Sequence, residues 1–115
     1  MGQNWGIPPN ETPSIAWMNF GLAQFGQKNY DGAIDSFNKA IQIDPNLPKV
    51  WNHLGDCYRL KGVMDYAISA YLKAIEQAPK FALAHYNLGL AFIQKKEFKF
   101  AIESVQTRSE EHTSE

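Results

Sequence analysis

From residue 14 onward, apolar side chains recur at intervals of three and four, the spacing that holds them on one face of an α-helix. An amphipathic stretch is followed by a break and then by a second amphipathic stretch, and in the first two cycles the second stretch runs into a proline, Pro45 and Pro79. Proline cannot continue the helical hydrogen-bond ladder, so each of these marks a helix end. Thr12-Pro13 opens the first stretch, with Thr as cap and Pro in the first turn. The preceding residues contain too much Gly and Pro for a helix. Residues 1–13 are expected to be a linker, with Trp5 and Ile7 tucked against the first helices.

The pattern is an internal repeat. Residues 14–47, 48–81 and 82–107 align as SIAWMNFGLAQFGQKNYDGAIDSFNKAIQIDPNL, PKVWNHLGDCYRLKGVMDYAISAYLKAIEQAPKF and ALAHYNLGLAFIQKKEFKFAIESVQT, a period of 34 residues. Each row is expected to fold as a helix pair. Gly21, Gly55 and Gly89 fall at one place in the first helix, although Gly there costs about 1 kcal/mol relative to Ala. Close approach of the second helix is the compensation expected. Ala33, Ala67 and Ala101 are the small residues opposite, with Phe37, Tyr71 and Val105 filling the space beside the crossing.

Trp51-x2-Leu54-Gly55-x2-Tyr58, followed by Ala67-x3-Tyr71, Ala74 and Pro79, resembles the signature of the tetratricopeptide repeat. The first row shares it through Trp17, Phe20, Gly21, Ala33, Phe37, Ala40 and Pro45, with Gln24 where an aromatic is usual. The third shares it through Leu88, Gly89, Phe92 and Ala101, with His85 in place of Trp. The resemblance spans residues 14–107 and implies an all-α right-handed solenoid of antiparallel helix pairs, about two and a half to three repeats. It also implies a concave groove, lined by the first helices, that holds another protein.

The register fails at the end of the third row, where a small residue at 108 and a proline near 113 give way to Arg108 and Thr113. The last residues, 108–115, RSEEHTSE, resemble the in-frame translation of a widely used sequencing adapter. They are expected to be non-native, leaving an incomplete third repeat over 82–107. Setting them aside removes one Arg and three Glu, which moves the formal charge from -1 to +1. The last helix is then short, and Phe98, Ile102 and Val105 lack part of a covering surface.

Groove-facing positions lie one turn apart on the side of each first helix away from its partner. They are Ile15, Met18, Asn19, Leu22 and Phe25; Lys49, Asn52, His53, Asp56 and Arg59; and Leu83, Tyr86, Asn87, Leu90 and Ile93. The middle of this surface is polar and its ends are apolar, which suits a segment anchored at two places with register set between them. Packing of the apolar members against neighbouring repeats is the alternative. Asn19 and Asn87 share a repeat position at which some arrays of this family hold a ligand's backbone, although Asn is common there in general. Another variant of the family clamps the carboxylate of chaperone tails with Lys, Asn and Arg. The corresponding slots here hold Met18, Leu22, His53, Leu83 and Asn87, so that ligand is not expected.

Composition narrows the function without naming it. With 11 Lys and Arg against 12 Asp and Glu, there is no basic excess for nucleic acid. No run approaches a membrane span and no signal peptide opens the chain, so a cytoplasmic setting is expected. Cys57 is the single cysteine, which excludes an intrachain disulfide, and its place among packing residues predicts an inert thiol. His53 and His85 are 32 residues apart and read as structural, so no metal or other cofactor is expected. No nucleophile elbow, phosphate loop or HExxH is present. The sequence therefore predicts a non-catalytic module that binds a protein or peptide, with self-association through the C-terminal end. A substrate-selecting fragment of a larger enzyme, such as a protein glycosyltransferase or a signalling enzyme, stands beside it, as does a plain spacer.

Overall fold

A computed structural model of the chain describes residues 12–113, with side chains described for 12–99, 102 and 103. The linker expected over 1–13, with Trp5 and Ile7, thus falls outside the described residues apart from Thr12 and Pro13. Five helices follow in order: α1 (Pro13–Gly26), α2 (Tyr30–Ile43), α3 (Pro48–Leu60), α4 (Met64–Gln77) and α5 (Ala82–Thr113). The described residues contain no strand, in keeping with the all-α expectation.

Local chemistry sets the boundaries of the first two pairs. Thr12 Oγ1 accepts the Ile15 amide at 3.3 Å and Pro13 fills the first turn, so α1 starts where the Thr-Pro pair placed it. Asn29 Oδ1 accepts the Gly32 amide at 3.1 Å and caps α2. The reversals between α1 and α2 and between α3 and α4 use Lys28 at φ 63° and Gly62 at φ 84°, which occupy the same repeat position. A left-handed conformation is free for Gly62 but costs Lys28 about 1–2 kcal/mol. Burial of the second helices offsets that cost.

The crossings depend on the repeated glycines. A Cβ on Gly21 would lie 2.6 Å from Phe37 Cε1, and one on Gly55 would lie 2.5 Å from Tyr71 Cε1. Phe37, Tyr71, Ala33 and Ala67 are all fully buried, so the small-residue crossing read from the sequence is how both pairs close. Phe37, Ile34, Val50, Leu54 and Cys57 then join the two repeats in one core, continued by Met64, Tyr71 and Ala91 toward α5.

Successive repeats are also linked by periodic polar contacts. Trp51 Nε1 donates to the Pro45 carbonyl at 3.0 Å, and His85 Nε2 donates to the Pro79 carbonyl at 2.8 Å from the equivalent position. His85 thus keeps the polar role of the tryptophan it replaces. Lys61 pairs with Asp31, and Lys95 Nζ meets Asp65 Oδ1 at 2.7 Å one period later. These pairs are exposed, so solvent screening leaves them little net weight in stability.

The third row departs from the expected helix pair, because α5 continues without a break from Ala82 to Thr113. Lys96 stands where Lys28 and Gly62 turn the chain, yet it remains helical. Two physical differences account for this. QKKEF contains no glycine or asparagine to ease a reversal, and Gln, Lys and Glu favour helix. Among the described residues no helix follows α5 to pack on a reversed segment, whereas α2 is packed between α1 and α3, and α4 between α3 and α5. The loss of apolar register near residue 108 likewise does not end the helix, which extends through residues 108–113; residues 114 and 115 lie outside the described part.

Candidate functional site

The first helices touch in sequence, α1 against α3 and α3 against α5, whereas α2 and α4 do not meet. Helices that touch on one side and separate on the other generate curvature, so α1, α3 and α5 form the inner side of the array. All the groove positions named from the sequence lie on these three helices.

Burial divides them. Met18, Leu22 and Phe25 are half-buried and packed against the first core cluster. Ile15 is also half-buried, and Asn19 is exposed. On α5, by contrast, Leu83, Tyr86 and Ile93 are 51%, 65% and 56% exposed, with Leu90 half-buried between them. These four recur at intervals of three and four, so they form one apolar stripe along the inner side of α5.

Between the two ends the polar residues of α3 bond to one another. Tyr71, reaching in from α4, donates its hydroxyl to Asp56 Oδ1 and accepts from Arg59 Nε at 3.1 Å. Arg59 Nη2 stands 3.5 Å from the same carboxylate oxygen, and the two ionic side chains are 16% and 17% exposed. A compact, internally satisfied cluster results, in place of three independent groups. Tyr71 was assigned to the crossing from the sequence, and its hydroxyl contribution to the groove floor was missed. Only the recurrence of a ring at that position was legible; the reach of a phenol oxygen through the crossing depends on the helix spacing.

Asn87 is not a free groove donor, and the unpaired Nδ2 of Asn52 is buried. Asn87 Nδ2 donates to Asn52 Oδ1 at 3.1 Å, and both side chains are buried, so the pair bridges α3 and α5 beneath the surface. Lys49 is exposed at the edge, where it lines an open depression of about 590 Å3 with Pro48, Pro79, Lys80 and Phe81. His53 stacks on Phe37 with ring centroids 5.7 Å apart. Burial pushes its imidazole below the ordinary range, opposed by nearby Asp56 and assisted by Lys49. Burial, reinforced by Asp56, pushes the Cys57 thiol up to about 12, so it stays protonated and unreactive near neutral pH.

Among the described residues no cluster of His, Cys, Asp or Glu is arranged to hold a metal ion, and no helix is long and apolar enough to cross a membrane. The arrangement supplies apolar contact area with a polar boundary.

Comparison with known proteins follows the same lines. Residues 21–62 and 55–96 match the family described as TPR repeat. A peroxisomal targeting signal receptor from Candida albicans is 32% identical over 99 residues, covering 84% of this chain and 17% of the receptor. The E3 ubiquitin-protein ligase CHIP from Arabidopsis thaliana is 33% identical over 82 residues, covering 71% of this chain and 30% of the ligase. The chain therefore spans less than a third of the length of either relative. Among solved structures, the first TPR of Spaghetti (RPAP3) bound to the HSP90 peptide SRMEEVD superposes with a TM-score of 0.71 at 22% identity, over 75% of this chain and 68% of that one, a likeness of fold. With its 34-residue period, its glycine-centred crossings and a family match over most of its length, this chain belongs to the tetratricopeptide repeat family.

Proposed function

We propose that the chain is a non-catalytic interaction module that holds a segment of another protein against the inner side of α3 and α5. The observation that carries this reading is the apolar stripe of α5, where Leu83, Tyr86 and Ile93 are each more than half exposed beside the Asp56–Tyr71–Arg59 cluster. Exposed aromatic and branched side chains of this kind become the anchors of an interface once a ligand covers them, and the bordering ionic cluster fixes orientation. The segment favoured is apolar at its anchors. The carboxylate-clamp slots hold Met18, Leu22, His53, Leu83 and Asn87, so an acidic chaperone tail such as the one bound by the Spaghetti repeat is not the ligand proposed here.

Selection from a random peptide library on the intact chain tests this, with affinities then measured by titration for the wild type and for Tyr86→Ala/Ile93→Ala. Selected peptides should carry apolar anchors, and the double substitution should weaken binding by about tenfold or more without altering helix content. Peptides that are uniformly acidic, or whose affinity ignores the substitutions, would contradict the reading.

The similarity to the plant ligase favours a second reading, in which these repeats select substrates for a larger enzyme whose chemistry lies elsewhere. The complete reading frame of the source gene separates the two. A catalytic domain in the same frame supports the second.

A further inference from the structure

In the first two repeats the face of the first helix around its glycine is filled by the second helix, Phe37 against Gly21 and Tyr71 against Gly55. Around Gly89 there is no atom within 4 Å of an added Cβ, so the corresponding face of α5 is empty. The side chains suited to fill it belong to the same helix, farther along. Phe98 and Ile102 stand at the repeat positions of Met64 and Ile34, which are 6% and 9% exposed, whereas they are 52% and 59% exposed themselves. Phe92, at the position of Tyr58, is exposed on the empty face as well.

The geometry points to a dimer in which two copies of this chain exchange the C-terminal halves of α5. The register is fixed by the two closed pairs, in which the glycine meets a residue 16 positions later. For Gly89 that residue is Val105, about 24 Å farther along a continuous helix and therefore beyond its reach within one chain. A second α5 laid antiparallel brings Val105 of the partner subunit to Gly89, and the reciprocal contact forms at the same time about a two-fold axis beside Glu97. Each copy thereby completes the other's third repeat with a contact that the chain already makes twice internally. The arrangement is closed and self-limiting, as an isologous interface requires.

The surface available is of the right order. A fully covered aromatic ring buries about 150–250 Å2, so half-exposed Phe92 and Phe98 in two copies supply roughly 300–500 Å2 before Ile102 and the aliphatic stems are counted. A stable interface needs about 1,000 Å2, so these rings supply about a third to a half of it. Tyr86 and Ile93 lie one turn to either side of Gly89 and border this face, as Phe25, at the position of Ile93, packs against Tyr30, at the position of Phe98, with ring centroids 5.5 Å apart. Exchange therefore covers part of the stripe, and the peptide titrations belong at concentrations dilute enough for the monomer.

Disulfide trapping in the full-length chain tests the exchange. In a Gly89→Cys/Val105→Cys variant, mild oxidation should give a species of twice the chain mass on non-reducing electrophoresis; native Cys57 is buried and does not compete. A link within a single chain, or no link at all, would overturn the proposal. Sedimentation equilibrium supplies a second measurement that does not depend on oxidation. The wild type should show a reversible monomer–dimer equilibrium, and Gly89→Gln should lower its association constant by about tenfold or more while helix content in the dilute monomer is unchanged. A wild type that stays monomeric at every concentration, or a dimer that tolerates Gly89→Gln, would also overturn it.

Discussion

Alanine at Gly55 and alanine at Gly89 are the same substitution at the same repeat position, but they meet different surroundings. At Gly55 the new Cβ would sit 2.5, 2.7 and 2.9 Å from Cε1, Cδ1 and Cζ of Tyr71, and the ring must retreat by about 1 Å to reach ordinary contact. It has little room, because Tyr71 is fully buried and its hydroxyl is tied to Asp56 and Arg59. Overpacking of this kind costs about 1–3 kcal/mol. Replacing Gly by Ala inside a helix returns about 1 kcal/mol, so Gly55→Ala should be destabilising by up to about 2 kcal/mol. At Gly89 nothing lies within 4 Å, and the helix-propensity gain stands alone. The propensity gain cancels between the two variants, so their difference in stability, about 1–3 kcal/mol, measures the clash itself. Thermal melts followed by circular dichroism, at concentrations dilute enough for the monomer, should place Gly89→Ala above the wild type and Gly55→Ala below it. One kcal/mol corresponds to about 4–8 °C in a domain of this size. If Gly89→Ala falls alongside Gly55→Ala, the face of α5 is occupied in the monomer and the unbroken helix is wrong.

Two other consequences follow from the groove floor and the core. Tyr71→Phe removes the hydroxyl that joins Asp56 to Arg59 and should cost about 1–2 kcal/mol in urea denaturation, whereas Tyr66→Phe, at an exposed ring, should cost little. His53 has an imidazole held below its ordinary value of 6.5 by burial, so the unfolded chain binds a proton that the folded chain resists. The stability present above about pH 6.5 should therefore decline as pH falls through that value toward the depressed folded one, and a His53→Gln variant should lose this part of the slope; an unchanged slope in the variant would contradict the assignment.

The sequence made the array legible because each of its signals is local or periodic. The 34-residue period, the Thr12-Pro13 start and the three glycines needed no knowledge of tertiary contacts. Two features were beyond such reading. Whether Lys96 turns the chain depends on what a reversed helix would pack against, and row three resembles the others in apolar positions while lacking their turn residues. The groove was legible as a set of helix faces, but not in its division into covered and open members. Asn52 and Asn87 became a buried bridge because α3 and α5 approach each other there, and Met18, Leu22 and Phe25 are half-covered because they pack on the cluster that α2 and α3 share, Phe25 against Tyr30 of α2. Helix periodicity tells which side a residue faces; the spacing between helices decides whether that side is open.

The most direct test of the proposed binding surface is an amide chemical-shift map of the isotope-labelled chain titrated with a library-selected peptide. The largest changes should fall along residues 83–93 of α5 and around Asp56 and Arg59 on α3, with α2 and the outer side of α4 unaffected. Changes concentrated on α2 and α4, or spread evenly over the chain, would contradict it.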